Sequence, residues 1–132
     1  MPEHARSTFT VDAWDEDGIE DRDGVRTARA RVTKTFTGDL QAVSVTDLLM
    51  VTGAPEGNAA YVAVERVEGA LHERTGGFVL THAAHMTPEG RAGDWRIAPG
   101  SGTGELAGIT GTGTVDVAAD GTHTLTLDYE LA

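Results

Sequence analysis

Alternation of apolar and polar side chains, repeated along most of the chain with turn signals between the repeats, is the feature that most limits what this sequence can form. It is clearest near the end, where Leu125, Leu127, Tyr129 and Leu131 alternate with Thr124, Thr126, Asp128 and Glu130. Side chains two apart share one face of a pleated strand, so this pattern builds a strand with one buried and one wet face. Residues 7–14 read the same way, with Phe9, Val11 and Ala13 against Thr8, Thr10 and Asp12. Residues 25–36 put Ala28, Ala30, Val32 and Phe36 on one side and Thr27, Arg29, Arg31, Thr33 and Thr35 on the other. Further strands are expected over 42–52, 59–68, a short stretch around Leu71, 78–86, 95–97, 112–117 and 122–131. Asp120-Gly121 between the last two is the strongest hairpin signal in the chain. About eight strands with turns every ~8–12 residues, and no helical period, predict an all-β chain closed into one antiparallel barrel over residues 1–132, with a sandwich as the other solution.

Two stretches resist simple alternation. The acidic run DEDGIEDRDG, residues 15–24, holds two Asp-x-Asp-Gly units and reads as a solvated hairpin loop. It does not complete a calcium loop, because the glutamate needed about twelve residues in is missing. On 59–68, Glu65 shares a face with Tyr61, Ala63 and Val67, whereas Arg66 shares one with Val62 and Val64. One of the two must point inward, and alternation alone does not choose.

Composition excludes several functions. The chain has no cysteine, so thiol nucleophiles and thiolate metal sites are ruled out and a reducing cytoplasm suits it. No apolar run approaches the ~20 residues that span a bilayer, and the first residues do not form a signal peptide, which predicts a soluble cytoplasmic protein with no membrane partner. With 21 acidic against 10 basic side chains the net charge is −11, and Lys34 is the single lysine. Such a surface repels nucleic acid, whose binding depends on Lys and Arg displacing counterions. His82 and His85 fall on opposite faces of one strand, and His4, His72 and His123 lie in termini or near turns, so no metal and no cofactor is expected.

Residues 99–113, PGSGTGELAGITGTG, carry six glycines in fifteen positions. A dinucleotide loop must open a helix, but threonine and valine at strand spacing follow these glycines. A P-loop needs a lysine after its last glycine, and Lys34 is far away. Ser101 lacks a nucleophile elbow, since Pro99 occupies the first glycine position. The expectation is a structural corner that lets a barrel close.

Trp14, FTGD at 36–39, Leu49-Met50, VERVEG at 64–69, GGFVLTH at 76–82 and PGSGTGELAG at 99–108 together resemble a bacterial family known as domain of unknown function 3224. The resemblance implies an allene oxide cyclase-like β-barrel. It carries over no catalytic residues, because no stretch matches those of the plant cyclases.

An eight-stranded barrel has room inside for side chains or for one small ligand. If the faces bearing Phe78, Leu125 and Leu127 point inward, His82 and Tyr129 come with them, and Glu65 joins beside Tyr61. A carboxylate and an imidazole in a water-poor cavity can move protons. The first reading is therefore a barrel that binds a small apolar molecule and acts as a cofactor-free isomerase or cyclase. In it Glu65 and His82 are acid and base, Tyr129 is a hydrogen-bond donor, and Trp14, Met50, Tyr61, Phe78 and Trp95 contact the ligand. The alternative is a non-catalytic module with a filled barrel that works through its surface as a homodimer.

Overall fold

The alternating segments become strands that are longer than the sequence suggests. A computed structural model describes residues 2–132, in nine strands and no helix. They are β1 (Glu3–Arg22), β2 (Val25–Gly38), β3 (Leu40–Thr52), β4 (Ala59–Leu71), β5 (Arg74–Thr87), β6 (Gly90–Ile97), β7 (Thr103–Gly104), β8 (Thr110–Val117) and β9 (His123–Glu130). Eight of them close into an antiparallel barrel in the order β1-β2-β3-β4-β5-β6-β8-β9, with β9 returning to β1. The two-residue β7 pairs outside this ring with the start of β5.

The acidic run 15–24 is strand, not loop. β1 carries on through it, with Asp15 opposite Arg31, Asp17 opposite Arg29 and Asp21 opposite Arg26. Opposite charges facing one another across an antiparallel pair stabilise it, and here they replace apolar alternation as the reason to extend. Arg26 donates to Glu16 at 2.7 Å and Arg29 to Asp17 at 3.1 Å. The turn is confined to Asp23 and Gly24, both at positive φ, which matches a tight two-residue hairpin. A bulge between Val11 and Ala13 then changes which residues of β1 face inward. Before it Phe9 lies opposite Phe36, and after it Trp14 lies opposite Val32.

The glycine stretch is not a bend within a strand. Its residues 99–109 connect β6 to β8, fold across one end of the barrel and close it, and residues 110–113 begin β8. Leu106 and Ile109 project from it and are fully buried, each contributing about 1.5–3 kcal/mol by burial. Its backbone is tied to β5. The Glu105 amide donates to the Thr75 carbonyl, and the Glu105 carboxylate accepts from the amide and hydroxyl of Thr75, each at 2.9 Å. Gly102 sits where a Cβ would lie 2.1 Å from the Leu106 carbonyl oxygen, so no larger residue fits there.

This end is packed solid. Phe36, Leu40, Leu71, Phe78, Leu80, Ile97, Leu125, Leu127 and Tyr129 form one buried cluster with Leu106 and Ile109. The other half of the barrel is not filled, and the candidate site lies where the two halves meet.

Candidate functional site

Going from the packed end toward the open end, the interior changes from apolar to polar in one layer. Lys34 on β2, Ser44 and Thr46 on β3, Glu65 on β4 and His82 on β5 are the buried polar residues of this layer, and Trp95 on β6 completes it. The alternation of each strand places them. Lys34 falls two residues from Val32 and Phe36, and Ser44 and Thr46 fall between Ala42 and Leu48 on the inward face. Glu65, not Arg66, points inward, and its side chain is 0% exposed.

The Glu65 carboxylate is fully engaged. One oxygen, Oε1, accepts from Lys34 Nζ at 3.2 Å and lies 3.0 Å from His82 Nε2. The other, Oε2, accepts from the Ser44 hydroxyl at 2.6 Å. Burial pushes the Glu65 carboxyl up, but the His82 hydrogen bond, the Lys34 charge and the Ser44 hydroxyl outweigh it and hold it at about 2. It is therefore ionised at neutral pH and can only accept. His82 is pushed down by burial and by the Lys34 charge, against the pull of Glu65, and is neutral.

These two protonation states fix the rest. An ionised carboxylate requires His82 Nε2 to carry the proton, which leaves Nδ1 as an acceptor. The Tyr61 hydroxyl, 2.9 Å from Nδ1, must then be the donor. Burial, followed by the Glu65 charge, raises the Tyr61 phenol to about 12 against a smaller opposing effect of Arg91. Tyr61, His82 and Glu65 are thus a directed chain of hydrogen bonds. His82 is held flat against Trp95, with ring centroids 3.6 Å apart and planes 4° from parallel. Lys34 Nζ lies 4.8 Å from the Phe9 ring centroid and 5.3 Å from that of Trp95, where the ring faces stabilise its charge.

Above this layer is a cavity of about 660 Å³. Lys34, Thr46 and His82 form its floor, and Trp14, Val32, Leu48, Met50, Tyr61 and Met86 are among its walls. A larger concavity of about 1010 Å³ lies on the outer wall between the Arg31–Asp47 ion pair and Leu49, Val62 and Val64. It is open to solvent, as the 55% exposure of both Leu49 and Val62 shows, and His82 is the one buried polar residue among its lining, shared with the barrel cavity, where Lys34 and Thr46 join it. The barrel cavity is therefore the candidate site.

Of the residues singled out in the sequence, Glu65, His82, Tyr61, Trp14, Met50 and Trp95 come together in or around this cavity. Tyr129 and Phe78 do not. Both belong to the packed end, where the Tyr129 hydroxyl lies 2.6 Å from His72 Nδ1. Lys34, Ser44 and Thr46 escaped notice. For Lys34 the signal was present, since the single lysine of the chain falls on the apolar face of its strand. Among the described residues no three of His, Asp and Glu gather as a set that could hold a metal ion, and no helix is long and apolar enough to cross a membrane.

No curated protein matches the chain. Among solved structures it is similar to the crystal structure of a protein with unknown function from the DUF3224 family of Shewanella oneidensis MR-1, at 31% identity and a TM-score of 0.90. That likeness covers 100% of this chain and 99% of the other. Residues 5–129 match the family described as "Protein of unknown function (DUF3224)". Phe78 and Leu80 from residues 76–82 and Leu106 from residues 99–108 help build the closed end of the barrel, and with this match over residues 5–129 the chain belongs to this family.

Proposed function

We propose that the protein binds a small apolar molecule in the open half of the barrel and acts on it as a cofactor-free isomerase or cyclase. One observation carries this reading: a mainly apolar cavity of about 660 Å³ ends on a buried, directed Tyr61–His82–Glu65 chain. The volume lies within the ~300–1,000 Å³ of ordinary ligand pockets, which speaks against a filled, purely structural barrel.

The chain of hydrogen bonds resembles in its logic the triads that activate a hydroxyl. The Tyr61 oxygen takes a proton from carbon of the ligand while its own proton passes to His82 Nδ1. The imidazolium that forms is balanced by the Glu65 carboxylate. Return of the protons along the same path to a different carbon completes an isomerisation, with no net change in the protein. Because the phenol keeps its proton up to about pH 12, the two transfers are concerted and no standing phenolate is needed.

The test is a panel of C8–C12 alkenes, ketones and alcohols incubated with the protein in D2O. Binding is read as a rise in melting temperature, and proton transfer as deuterium gained at carbon by mass spectrometry. At least one member is expected to raise the melting temperature and to gain deuterium, with the exchange falling by at least about a hundredfold in Tyr61→Phe, the low end of a general acid–base contribution. A panel that neither stabilises the protein nor exchanges would overturn the proposal.

A further inference from the structure

One buried side-chain polar atom has no partner among the described residues, and it belongs to a residue that lines the cavity: the hydroxyl of Thr46, a residue 1% exposed. Leaving such a group unpaired is costly, so native structures rarely do it without a reason. Thr46 lies directly opposite Glu65 in the β3–β4 pairing, so it adjoins the carboxylate that holds Lys34. Lys34 has three N–H donors, and Glu65 is its one hydrogen-bond acceptor among the described residues. Two donors, one ammonium and one hydroxyl, are therefore present at the floor of a cavity whose other charged lining residues, Arg91 and Asp116, are exposed and opposite in sign.

Charge narrows what they fit. Lys34 is already neutralised by Glu65, and His82 is neutral, so the layer as a whole carries no net charge. A carboxylate ligand would bring an unbalanced negative charge next to Glu65 into a water-poor site. A neutral acceptor brings none. We propose that Lys34 Nζ and Thr46 Oγ1 form an oxygen-binding subsite for the carbonyl group of an apolar ketone or aldehyde. This rests on the reading of the cavity as a ligand site. It also completes that reading, because a carbonyl held by two donors stabilises the enolate left when a proton is taken from the adjacent carbon.

Three probes of similar size separate the possibilities: 2-decanone, its alkene isostere 2-methyldec-1-ene, and decanoate, each titrated into the full chain by calorimetry at pH 7. The ketone is expected to bind about tenfold more tightly than the alkene and than decanoate, a difference of about 1.4 kcal/mol. In Thr46→Val, which keeps the shape and removes an unpartnered hydroxyl, the ketone's advantage over the alkene is expected to shrink to about threefold or less, while the melting temperature holds or rises. Equal binding of ketone and alkene would overturn the carbonyl subsite and leave apolar binding standing. Tightest binding by decanoate would replace it with an anion site. An advantage unchanged in Thr46→Val would remove Thr46 from it, and binding of none of the three would overturn both readings together.

Discussion

At the scale of single residues, Lys34 and Glu65 are a buried ion pair, and such pairs are fragile to the loss of one member. Glu65→Gln keeps an oxygen for the His82 hydrogen bond but leaves the Lys34 ammonium without its counter-charge, and a loss of about 3–5 kcal/mol in stability is expected by denaturant unfolding. Adding Lys34→Met removes the stranded charge and should recover part of that loss. The sign of the pH dependence follows from the same layer. His82 is depressed in the folded state, so the unfolded chain binds its proton first and stability begins to fall as pH drops below the ordinary histidine value of 6.5. Glu65 is depressed to about 2, so its contribution is fully present above about 4.5 and is lost as pH falls toward 2. Melting temperatures measured from pH 7 to 3 should therefore decline in two limbs, and in Glu65→Gln the lower limb should be shallower. An acid limb of unchanged steepness would show that other carboxylates dominate it.

The same residues show how far a site can be read before a structure is known. Alternation put His82 on the same face of its strand as Phe78 and Leu80, and that face is the inward one. It failed to choose between Glu65 and Arg66 because the outward face of β4 is itself apolar: Val62 and Val64 are 55% and 54% exposed. On β3 the pattern is inverted in the same way, with Val43 and Val45 outside and Ser44 and Thr46 inside. Hydrophobicity therefore does not mark the inward face at the two strands that carry the polar layer, and what settles it on β4 is the ion pair with Lys34, a contact between residues 31 positions apart.

At the scale of elements, the strands were legible in place and kind but not in length. β1 and β2 reach past their apolar stretches because Asp and Arg face each other across them, an interaction that exists only once the register is set. The bulge at Val11 and Ala13, which turns Trp14 toward the cavity, has no mark of its own in the sequence. The glycine stretch was recognised as a closing device, but its form depends on contacts with β5 that lie far off in the chain. Those contacts make a prediction. A Cβ at residue 102 would meet the Leu106 carbonyl oxygen at 2.1 Å and Ile109 Cγ2 at 2.9 Å. Gly102→Ala must therefore push the segment off the packed end and expose part of Leu106 and Ile109, at a cost of about 1–3 kcal/mol. Chemical unfolding checks this, and wild-type stability in the variant would mean that the segment does not close the barrel as a rigid unit.

At the scale of the whole molecule, the barrel is closed unevenly. Most neighbouring strands pair along their length, but β6 and β8 meet only at Trp95 opposite Gly113 and Arg96 opposite Thr112. Beyond these two pairs, toward the open end, residues 90–94 of β6 and 114–117 of β8 run past each other unbridged, and both line the cavity. The seam is thus a slit in the wall beside the site, with backbone N–H and C=O groups along it that no neighbouring strand satisfies. Amides directed at the slit lack the protection of a ladder, whereas those of β2 and β3 are bonded on both sides. Native-state hydrogen exchange should therefore be roughly a hundredfold faster for the slit-facing amides of 92–94 and 114–117 than for the centre of β2 and β3, because local opening there needs no loss of the packed end. A molecule seated in the cavity touches Gly93 and Val115 among its walls, so occupancy should slow exchange along the slit and leave the packed end unchanged. Exchange at the slit as slow as in β2 would mean that the seam is closed in solution and that the open end of the barrel is the path to the site.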